Sequence, residues 1–404
     1  MAGHGRKCQK RMTKTDNWPQ DLLLSTLSIL PPKSLLRFKS VSKHWKSLIV
    51  SPDFVEHHLQ TQQNQEYPQL IFVSPGSRTD IYLESVTVVD VPRVEAEGAD
   101  TKSRKGFQRS PLNICHLPYD FYFFSNSCDG VFCFFGNTNI FVYNPGTREF
   151  RMLQIENEGS PIVPSYFSSD CFGQAFSTHH LIGFGRDQVT KECKIIRIFL
   201  PKERDEHNIQ ECEVFTLNSN TRASWRSIGK VSYLIGAAQK PVNVDGVLYW
   251  MLDPRHANPS EMIVSLDLHT ERFQPISHPS CCSEASNDLP RRYMGLLSLR
   301  NSLCLAEPRR ALHYNIWIMN RGDGIWEKLF SIDWVLMTYR SPLAFPIVEL
   351  KDGTFFVSHC GDNLQIYYPE EKCFSEVLLK QGKSVVASAY YESLVPLYGE
   401  PLVY

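Results

Sequence analysis

The feature that most constrains the fold lies near the N-terminus, in residues 17–59. Apolar residues recur there at helical spacing, and prolines divide the stretch into three segments. Pro19 suits a first helical turn, Pro31-Pro32 ends one helix and starts the next, and Ser51-Pro52 ends the third. Three short helices are therefore predicted. They carry more apolar surface than so small a unit can bury, so a spare apolar face must pack on the rest of the chain or on another protein.

The same stretch resembles an F-box. The resemblance is carried by Pro-Gln-Asp-Leu at 19–22, by Lys-Ser-Leu-Leu-Arg-Phe-Lys at 33–39, by Val-Ser-Lys at 41–43 and by Ser-Pro-Asp-Phe at 51–54. It departs at Trp18, Thr26 and Ile29.

The resemblance implies that the helices dock on the small Skp-type adaptor of a cullin-RING ubiquitin ligase. The residues expected to contact the adaptor are Pro19, Leu22, Leu27, Leu30, Pro31, Leu35, Val41 and Trp45. About two of the apolar ones are expected to face the protein's own core instead, and the sequence does not sort them.

Length and composition point to an intracellular protein of about two or three domains. The chain has 404 residues, with 42 basic and 43 acidic side chains, so no net field draws it to nucleic acid or to a membrane. The basic N-terminus lacks the apolar core of a signal peptide. The twelve cysteines form no CxxC pair, which argues against zinc, and residence in the reducing cytoplasm or nucleus is expected.

From Tyr67 onward, short runs rich in β-branched and aromatic residues alternate with turn residues, which predicts an all-β domain. Strands are expected at 70–74 and 81–89, followed by a long exposed loop over 91–111. Similar units then recur at 127–153, 180–228, 242–276, 296–332 and 348–379. Three of them contain an Asp-Gly hairpin turn, at 129–130, 245–246 and 352–353.

The repeat length of roughly 50 residues is that of a four-stranded, kelch-like propeller blade, so a ring of about six or seven blades is predicted. The expected division is a disordered basic tail (1–16), the F-box (17–59), a linker (60–66), the propeller (67–395) and a C-terminal tail (396–404).

The β units resemble the F-box-associated domain of the large plant F-box families. The matching segments are 127–153, the Gly-Phe-Gly element that begins at Gly183, and the paired segments 242–251 and 263–276. Arg186 stands where an aromatic residue is common, and the double glycine of kelch repeats is absent, so the number of blades stays open.

No motif for catalysis is present: the chain lacks GxSxG, HExxH and GxxxxGK[ST]. A non-catalytic protein with no cofactor and no metal is therefore predicted. The F-box resemblance implies an adaptor whose propeller binds an unidentified target protein for ubiquitination. Loops at 253–261, 279–292, 307–313 and 337–342 are candidates for the binding surface, although each can equally be an ordinary solvated loop. The candidate residues within them are Arg255, Arg309, Arg310, Tyr339 and Arg340.

Two alternatives stay open. A non-ligase F-box protein would use the adaptor only for stability or localisation. A propeller that binds carbohydrate or another small molecule would need an aromatic-lined pocket, which the 12% aromatic content permits.

Overall fold

The structure is a computed structural model. It describes residues 19–64, 69–75, 80–91, 104–116, 123–124, 127–135, 139–155, 180–199, 209–217, 224–235, 241–253, 261–279, 294–310, 313–333, 345–350, 352–358, 364–377 and 386–398. The predicted basic tail (1–16) and the candidate target residues Arg255, Tyr339 and Arg340 lie outside these ranges.

The N-terminal part is a helical unit of four helices. They are α1 (Gln20–Ser28), α2 (Pro32–Phe38), α3 (Lys43–Val50) and α4 (Pro52–Gln63). Three helices were predicted, and the fourth is a correction. Ser51-Pro52 does end α3, but it also starts α4, because the Ser51 side chain accepts the Phe54 N–H and Pro52 fits the first helical position. The helix continues to Gln63, so most of the predicted linker at 60–66 is helical.

The rest of the described chain forms six four-stranded antiparallel sheets. Sheet I contains β24 (Val386–Tyr390), β1 (Gln69–Pro75), β2 (Asp80–Val91) and β3 (Arg104–His116). Sheet II contains β4 (Phe123–Phe124), β5 (Phe132–Phe135), β6 (Asn139–Asn144) and β7 (Glu149–Gln154). Sheet III contains β8 (His180–Arg186), β9 (Cys193–Phe199), β10 (Gln210–Thr216) and β11 (Arg226–Val231).

The last three sheets follow the same plan. Sheet IV contains β12 (Val242–Val244), β13 (Val247–Met251), β14 (Glu261–Asp267) and β15 (Arg272–Ser277). Sheet V contains β16 (Gly295–Leu299), β17 (Ser302–Arg310), β18 (His313–Met319) and β19 (Trp326–Asp333). Sheet VI contains β20 (Phe345–Glu349), β21 (Phe355–Ser358), β22 (Leu364–Tyr368) and β23 (Cys373–Val377). No helix within the described ranges is long and apolar enough to cross a membrane.

The five repeats found in the sequence coincide with sheets II to VI. The loop predicted over 91–111 is wrong for its second half, because β3 begins at Arg104 and pairs with β2. Its polar sequence suits an edge strand, and the ladder shifts register opposite Glu84, where Pro111 interrupts it.

The Asp-Gly turns of sheets II and IV have the geometry that their sequence predicts. Asp129 and Gly130 have φ of 50° and 76°, and Asp245 and Gly246 have φ of 48° and 76°. Positive φ at both central residues defines a type I′ turn, whose twist matches the flanking strands. Gly353 also has a positive φ, of 77°, in the connection from β20 to β21.

A second turn recurs between the third and fourth strands of sheets II, IV and V and between the first two strands of sheet III. It starts at Asn144, Asp267, Asn320 and Asp187 respectively, whose side-chain oxygens accept backbone N–H groups two or three residues ahead. In each turn the N–H of the fifth residue donates to the carbonyl of the first. Such Asx turns are a local sequence signal that hairpin motifs alone overlook.

Each sheet contacts the next one in chain order. Phe132 lies against Tyr390 of sheet I, with ring centroids 5.4 Å apart. Polar pairs join the later neighbours: Asp129–Arg186 at 3.2 Å for sheets II and III, and Asp187–His269 at 3.2 Å for sheets III and IV. Asp245–Asn301 at 2.6 Å joins sheets IV and V, and Arg300–Glu349 at 2.6 Å joins sheets V and VI. Strand β20 of sheet VI packs beside β24 of sheet I.

The connections alternate between two ends of each antiparallel sheet. We call the end with the first-to-second and third-to-fourth connections of sheets II to VI the turn end, and the opposite one the loop end. The polar pairs above involve turn-end residues. All four candidate target loops are second-to-third or fourth-to-next connections, so the strand ends that flank them lie at the loop end.

Candidate functional site

The helical unit shares one apolar core with sheets II and III. From the helices it contains Leu23, Leu27, Leu35, Ile49, Phe54, Val55 and Leu59, and from the sheets and the chain after β24 it includes Val131, Cys133, Ile140, Val142, Leu394, Val395 and Leu397. One part of the spare apolar surface predicted for the helices is therefore covered by the protein itself.

A second apolar surface of the helical unit is uncovered. Leu22, Ile29 and Val41 are 56%, 63% and 57% exposed. An exposed leucine, isoleucine and valine on so small a unit leave apolar area that a partner would bury. One part of the predicted spare apolar surface is thus covered by the protein's own sheets, and another part is left exposed.

The eight residues predicted to contact the adaptor separate into three groups. Pro19, Leu22, Pro31 and Val41 are exposed, and Leu30 and Trp45 are half-buried. Leu27 and Leu35 are 1% and 0% exposed, so they are core residues of the helical unit and offer no surface to a partner. Their assignment as contacts is corrected here. Ile29 is the exposed apolar residue that sequence reasoning left out.

Side chains of α4 hydrogen-bond two carbonyls at and just after the C-terminal end of α1. His58 is fully buried and its Nε2 lies 2.9 Å from the Leu30 carbonyl, which can only accept, so Nε2 carries the proton. Gln62 Nε2 donates to the Ser28 carbonyl at 3.3 Å. The Gln62 contact satisfies a carbonyl that the helix end leaves without an intrahelical partner.

The buried imidazole makes the stability of the helical unit depend on pH. Burial lowers the pKa of His58 below its usual 6.5, and the nearby His57 acts in the same direction, while the Leu30 carbonyl opposes them. Between the folded and the ordinary value only the unfolded chain binds this proton, so the stabilising contribution is complete above pH of about 6.5 and is lost as pH falls.

We expect His58→Gln, which keeps a donor near the Nε2 position, to flatten the decline in unfolding free energy between pH 7 and pH 5. The wild-type slope from this group can reach about 1.4 kcal/mol per pH unit. Denaturant unfolding at several pH values measures it, with exposed His57→Gln as the control. Equal slopes for wild type and His58→Gln would contradict the assignment.

A charged cluster links α4 to the turn end of sheets II and III. Arg186, at the end of β8, lies 3.0 Å from Glu56 of α4 and 3.2 Å from Asp129, and its Nε donates to the Lys191 carbonyl at 2.9 Å. The Arg186 side chain is 6% exposed. Gln63 of α4 donates to Asp129 at 3.3 Å. Arg186, which stands where the family commonly has an aromatic residue, thus links the helical unit to the sheets.

The chain after β24 passes between the helical unit and sheet II. We call residues 391–398 the C-terminal segment. Asn144 Nδ2 donates to the carbonyls of Ser393 and Val395 at 3.2 and 2.8 Å, and the Leu397 N–H donates to Glu149 at 2.8 Å. Gly130 permits this approach, because a Cβ there would lie 2.3 Å from the Tyr391 carbonyl oxygen.

This packing corrects the predicted C-terminal tail at 396–404. Leu397 is fully buried, and the Tyr398 hydroxyl donates to the Phe150 carbonyl. At least the first three residues of that tail therefore belong to the folded protein, while residues 399–404 lie outside the described ranges.

Only part of the predicted target surface is described. Arg309 lies at the loop end of β17 and is exposed, and it forms an ion pair with Glu307 at 3.1 Å. Arg310 ends the same strand, and its side chain lies outside the description. The assignment of these residues, and of Arg255, Tyr339 and Arg340, to target binding stays a prediction.

The described cysteines have the character of core residues. Cys128, Cys133, Cys193, Cys212 and Cys304 are buried free thiols, whereas Cys373 is exposed. Burial raises the pKa of Cys193 and of Cys304 to about 12, so both stay protonated at neutral pH. The described part of the chain brings together no group of three or more metal-ligating side chains.

These features define a class of protein in which a small helical unit is fixed to the turn end of a large all-β domain. Comparison with known families matches residues 16–57 to the F-box domain and residues 78–397 to the F-box associated beta propeller domain. The chain belongs to this family of F-box proteins.

Its curated relatives include plant proteins of similar length. F-box protein At5g10340 of Arabidopsis thaliana is 28% identical over 98% of this chain and 89% of the relative. F-box/LRR-repeat/kelch-repeat protein At1g09650 of Arabidopsis thaliana is also 28% identical, over 80% of this chain and 79% of the relative. Among solved structures, an oligogalacturonate lyase in complex with manganese covers 75% of this chain and 74% of its own, at 8% identity and a TM-score of 0.39, which is too distant to support any argument.

Proposed function

We propose that the protein is a substrate-recognition subunit of a Skp-cullin-F-box ubiquitin ligase. The observation that carries the proposal is the uncovered apolar surface at Leu22, Ile29 and Val41, on helices that match the F-box domain. A Skp-type adaptor would bury this surface and link the chain to a cullin. The chain itself would act without catalytic groups, by raising the effective concentration of target lysines near the charged enzyme.

In this proposal the sheet domain is a closed six-bladed propeller. Six sheets that contact one another in chain order support a ring, as does the pairing of β24 with β1 (Leu70 opposite Ala389). Because β24 joins the first strands of the domain in sheet I, the last strand would complete the blade that the first strands begin. Closure also removes exposed sheet edges.

The target protein would bind at the loop end. The turn end of sheets II and III is occupied by the helical unit, whose Glu56 and Gln63 contact Arg186 and Asp129. The loop end carries the connections that contain the candidate residues, and connecting loops are where binding residues concentrate. Adaptor and target would then lie on opposite ends of the propeller, in the cytoplasm or the nucleus.

The test compares the full chain with the double variant Leu22→Asp/Val41→Asp in capture of a purified Skp-type adaptor. We expect the variant to bind at least about 100-fold more weakly, since two buried apolar anchors are worth about 3 kcal/mol or more. Its melting temperature should be unchanged because both side chains are exposed. Ile325→Asp, which alters an exposed residue in the connection from β18 to β19, is the matched control.

Unchanged affinity in the double variant would overturn the docking surface. Leu35→Asp is unsuitable as a test because Leu35 is fully buried. A loss of adaptor binding in that variant would report unfolding of the helices. If the adaptor binds but no cullin accompanies it from plant extract, the non-ligase alternative is favoured.

A further inference from the structure

One ion pair at the loop end is built differently from a surface salt bridge. Glu307 of β17 is fully buried, while the side chain of Arg309, two residues on, is 38% exposed. The guanidinium Nε of Arg309 lies 3.1 Å from Glu307 Oε2. A buried carboxylate thus stands behind an arginine that reaches solvent.

Glu307 is itself fixed in place. Its Oε2 accepts hydrogen bonds from Trp317 Nε1 at 2.9 Å and from Asn315 Nδ2 at 3.2 Å, and Ser331 Oγ in turn donates to Asn315 Oδ1 at 2.8 Å. Three residues of β18 and β19 therefore orient the carboxylate that holds Arg309.

Stability does not explain this arrangement. Glu307 Oε1 is buried and has no hydrogen-bond partner within the described structure. An unpartnered buried acceptor costs about 1–3 kcal/mol, and replacing a buried ion pair with apolar side chains is often neutral or stabilising. What the arrangement does supply is a fixed orientation for the guanidinium.

The held arginine is suited to binding an oxyanion. With Nε directed at Glu307, the two terminal nitrogens of Arg309 have no partner among the described residues, and they lie on a side chain open to solvent. The planar fork of a guanidinium matches a carboxylate or a phosphate with two parallel hydrogen bonds, a geometry that a lysine cannot reproduce.

The location agrees with this chemistry. Trp317 packs into the apolar core between sheets IV and V together with Met251 at the loop end of β13. The strand ends nearest Arg309 in the sheet V ladder are His313, opposite Arg310, and Asp333, opposite His313, and they flank the candidate target loops at 307–313 and 337–342. A segment bound at the loop end of sheet V would therefore meet Arg309.

We infer that Arg309, positioned by Glu307, binds an oxyanion carried by the target protein, either a carboxylate or a phosphate group. The inference rests on the proposed function, since it takes the loop end as the surface that receives the target. It adds the chemical class of the recognised group and gives Glu307 the part of a positioning residue.

The test uses the full chain in complex with a purified Skp-type adaptor, immobilised through the adaptor and panned against a random displayed peptide library. We expect the selected peptides to share an acidic position. Synthetic versions with glutamate, glutamine or phosphoserine at that position would then be titrated. Arg309→Lys should weaken binding of the acidic versions at least 10-fold and leave the glutamine version unchanged, because the charge is kept and the fork is lost.

Controls separate recognition from folding. Arg272→Lys, at an exposed arginine on the turn end of sheet IV, should leave peptide binding unchanged. Glu307→Gln should weaken the binding of acidic peptides with little change in melting temperature. If Glu307→Gln does not fold, Arg309→Lys still tests the inference.

Full affinity of Arg309→Lys for acidic peptides, or selected peptides without a shared acidic residue, would overturn the inference. Preference for phosphoserine over glutamate assigns the oxyanion to phosphate, and the reverse preference assigns it to carboxylate. Failure of the proposed function would look different, because the adaptor complex would then not form at the first step.

Discussion

A chain that ends at Tyr390 should lose the fold of the helical unit, even though the F-box lies more than three hundred residues earlier in the sequence. The deletion removes Leu394, Val395 and Leu397, which are 5%, 1% and 0% exposed in the core shared with the helices. Burial of three such side chains is worth about 5–8 kcal/mol, which is comparable to the whole net stability of a domain.

The deletion also leaves polar groups without partners. Asn144 Nδ2 would lose both of its backbone acceptors, and Glu149 would lose the Leu397 N–H. We expect the melting temperature to fall by more than about 10 °C and adaptor capture to disappear. Differential scanning calorimetry and adaptor pull-down measure the two effects.

A chain that ends at Tyr398 is the matched control for that deletion. This shorter truncation keeps every described contact of the C-terminal segment, so it should melt well above the chain that ends at Tyr390. Should the chain ending at Tyr390 prove too unstable to purify, Leu397→Ala tests the same packing, with an expected loss of about 2–5 kcal/mol. A melting temperature within about 2 °C of wild type in both variants would contradict a structural role for the segment.

The sequence predicted those parts of the fold that depend on local signals. Ser42 caps α3 through the Trp45 N–H, Pro32 starts α2, and Asp129-Gly130 and Asp245-Gly246 form their hairpins because each preference is set by a few adjacent residues. The five repeats were found for the same reason. Local rules were also wrong at two places. Ser51-Pro52 was interpreted only as the end of a helix although the same pair suits the start of the next, and the polar residues 104–111 were interpreted as loop although they belong to β3.

Nonlocal pairings could not be found in this way. Nothing near Ala389 shows that it pairs with Leu70, and nothing near Leu397 shows that a short apolar segment fills a core beneath the F-box helices. The sorting of Leu27 and Leu35 into the core and of Leu22 and Val41 onto the surface likewise depends on where the sheets lie. Periodicity alone gives the helical faces but not their neighbours.

Arg186 is the sharpest example, because in sequence it was only a departure from an aromatic position. Replacing it with methionine should lower the free energy of unfolding by about 3 kcal/mol near pH 8, since it leaves the Asp129 carboxylate, whose side chain is only 16% exposed, without its cation. The same change removes one of two ion pairs between Glu56 of α4 and sheet III, and leaves the one with Lys191 at 3.4 Å. Chemical denaturation followed by tryptophan fluorescence measures the loss.

The destabilisation should shrink as pH falls. Burial raises the pKa of Asp129, and Arg186 opposes that rise, so removing the arginine raises the pKa of the carboxyl further. Below that pKa the carboxyl is neutral and no longer needs a cation, so the difference between Arg186→Met and wild type is greatest at alkaline pH. An Arg186→Met defect that stays constant from pH 8 to pH 5 would argue against an unpaired Asp129 as its cause.

Arg186→Met/Asp129→Asn isolates the charge pair from the packing. Asparagine tolerates the positive φ of 50° at position 129, so the type I′ turn should persist in the double variant. We expect the second substitution to recover most of the lost stability and to abolish the pH dependence. Arg226→Met is the control: it breaks an ion pair with Glu271 in which the arginine is 58% exposed, and should change stability by less than about 1 kcal/mol. If Arg186→Met changes stability as little as Arg226→Met does, then the ion pairs of Arg186 contribute no more than a surface ion pair. The helical unit would then be held to the sheets by the shared apolar core alone.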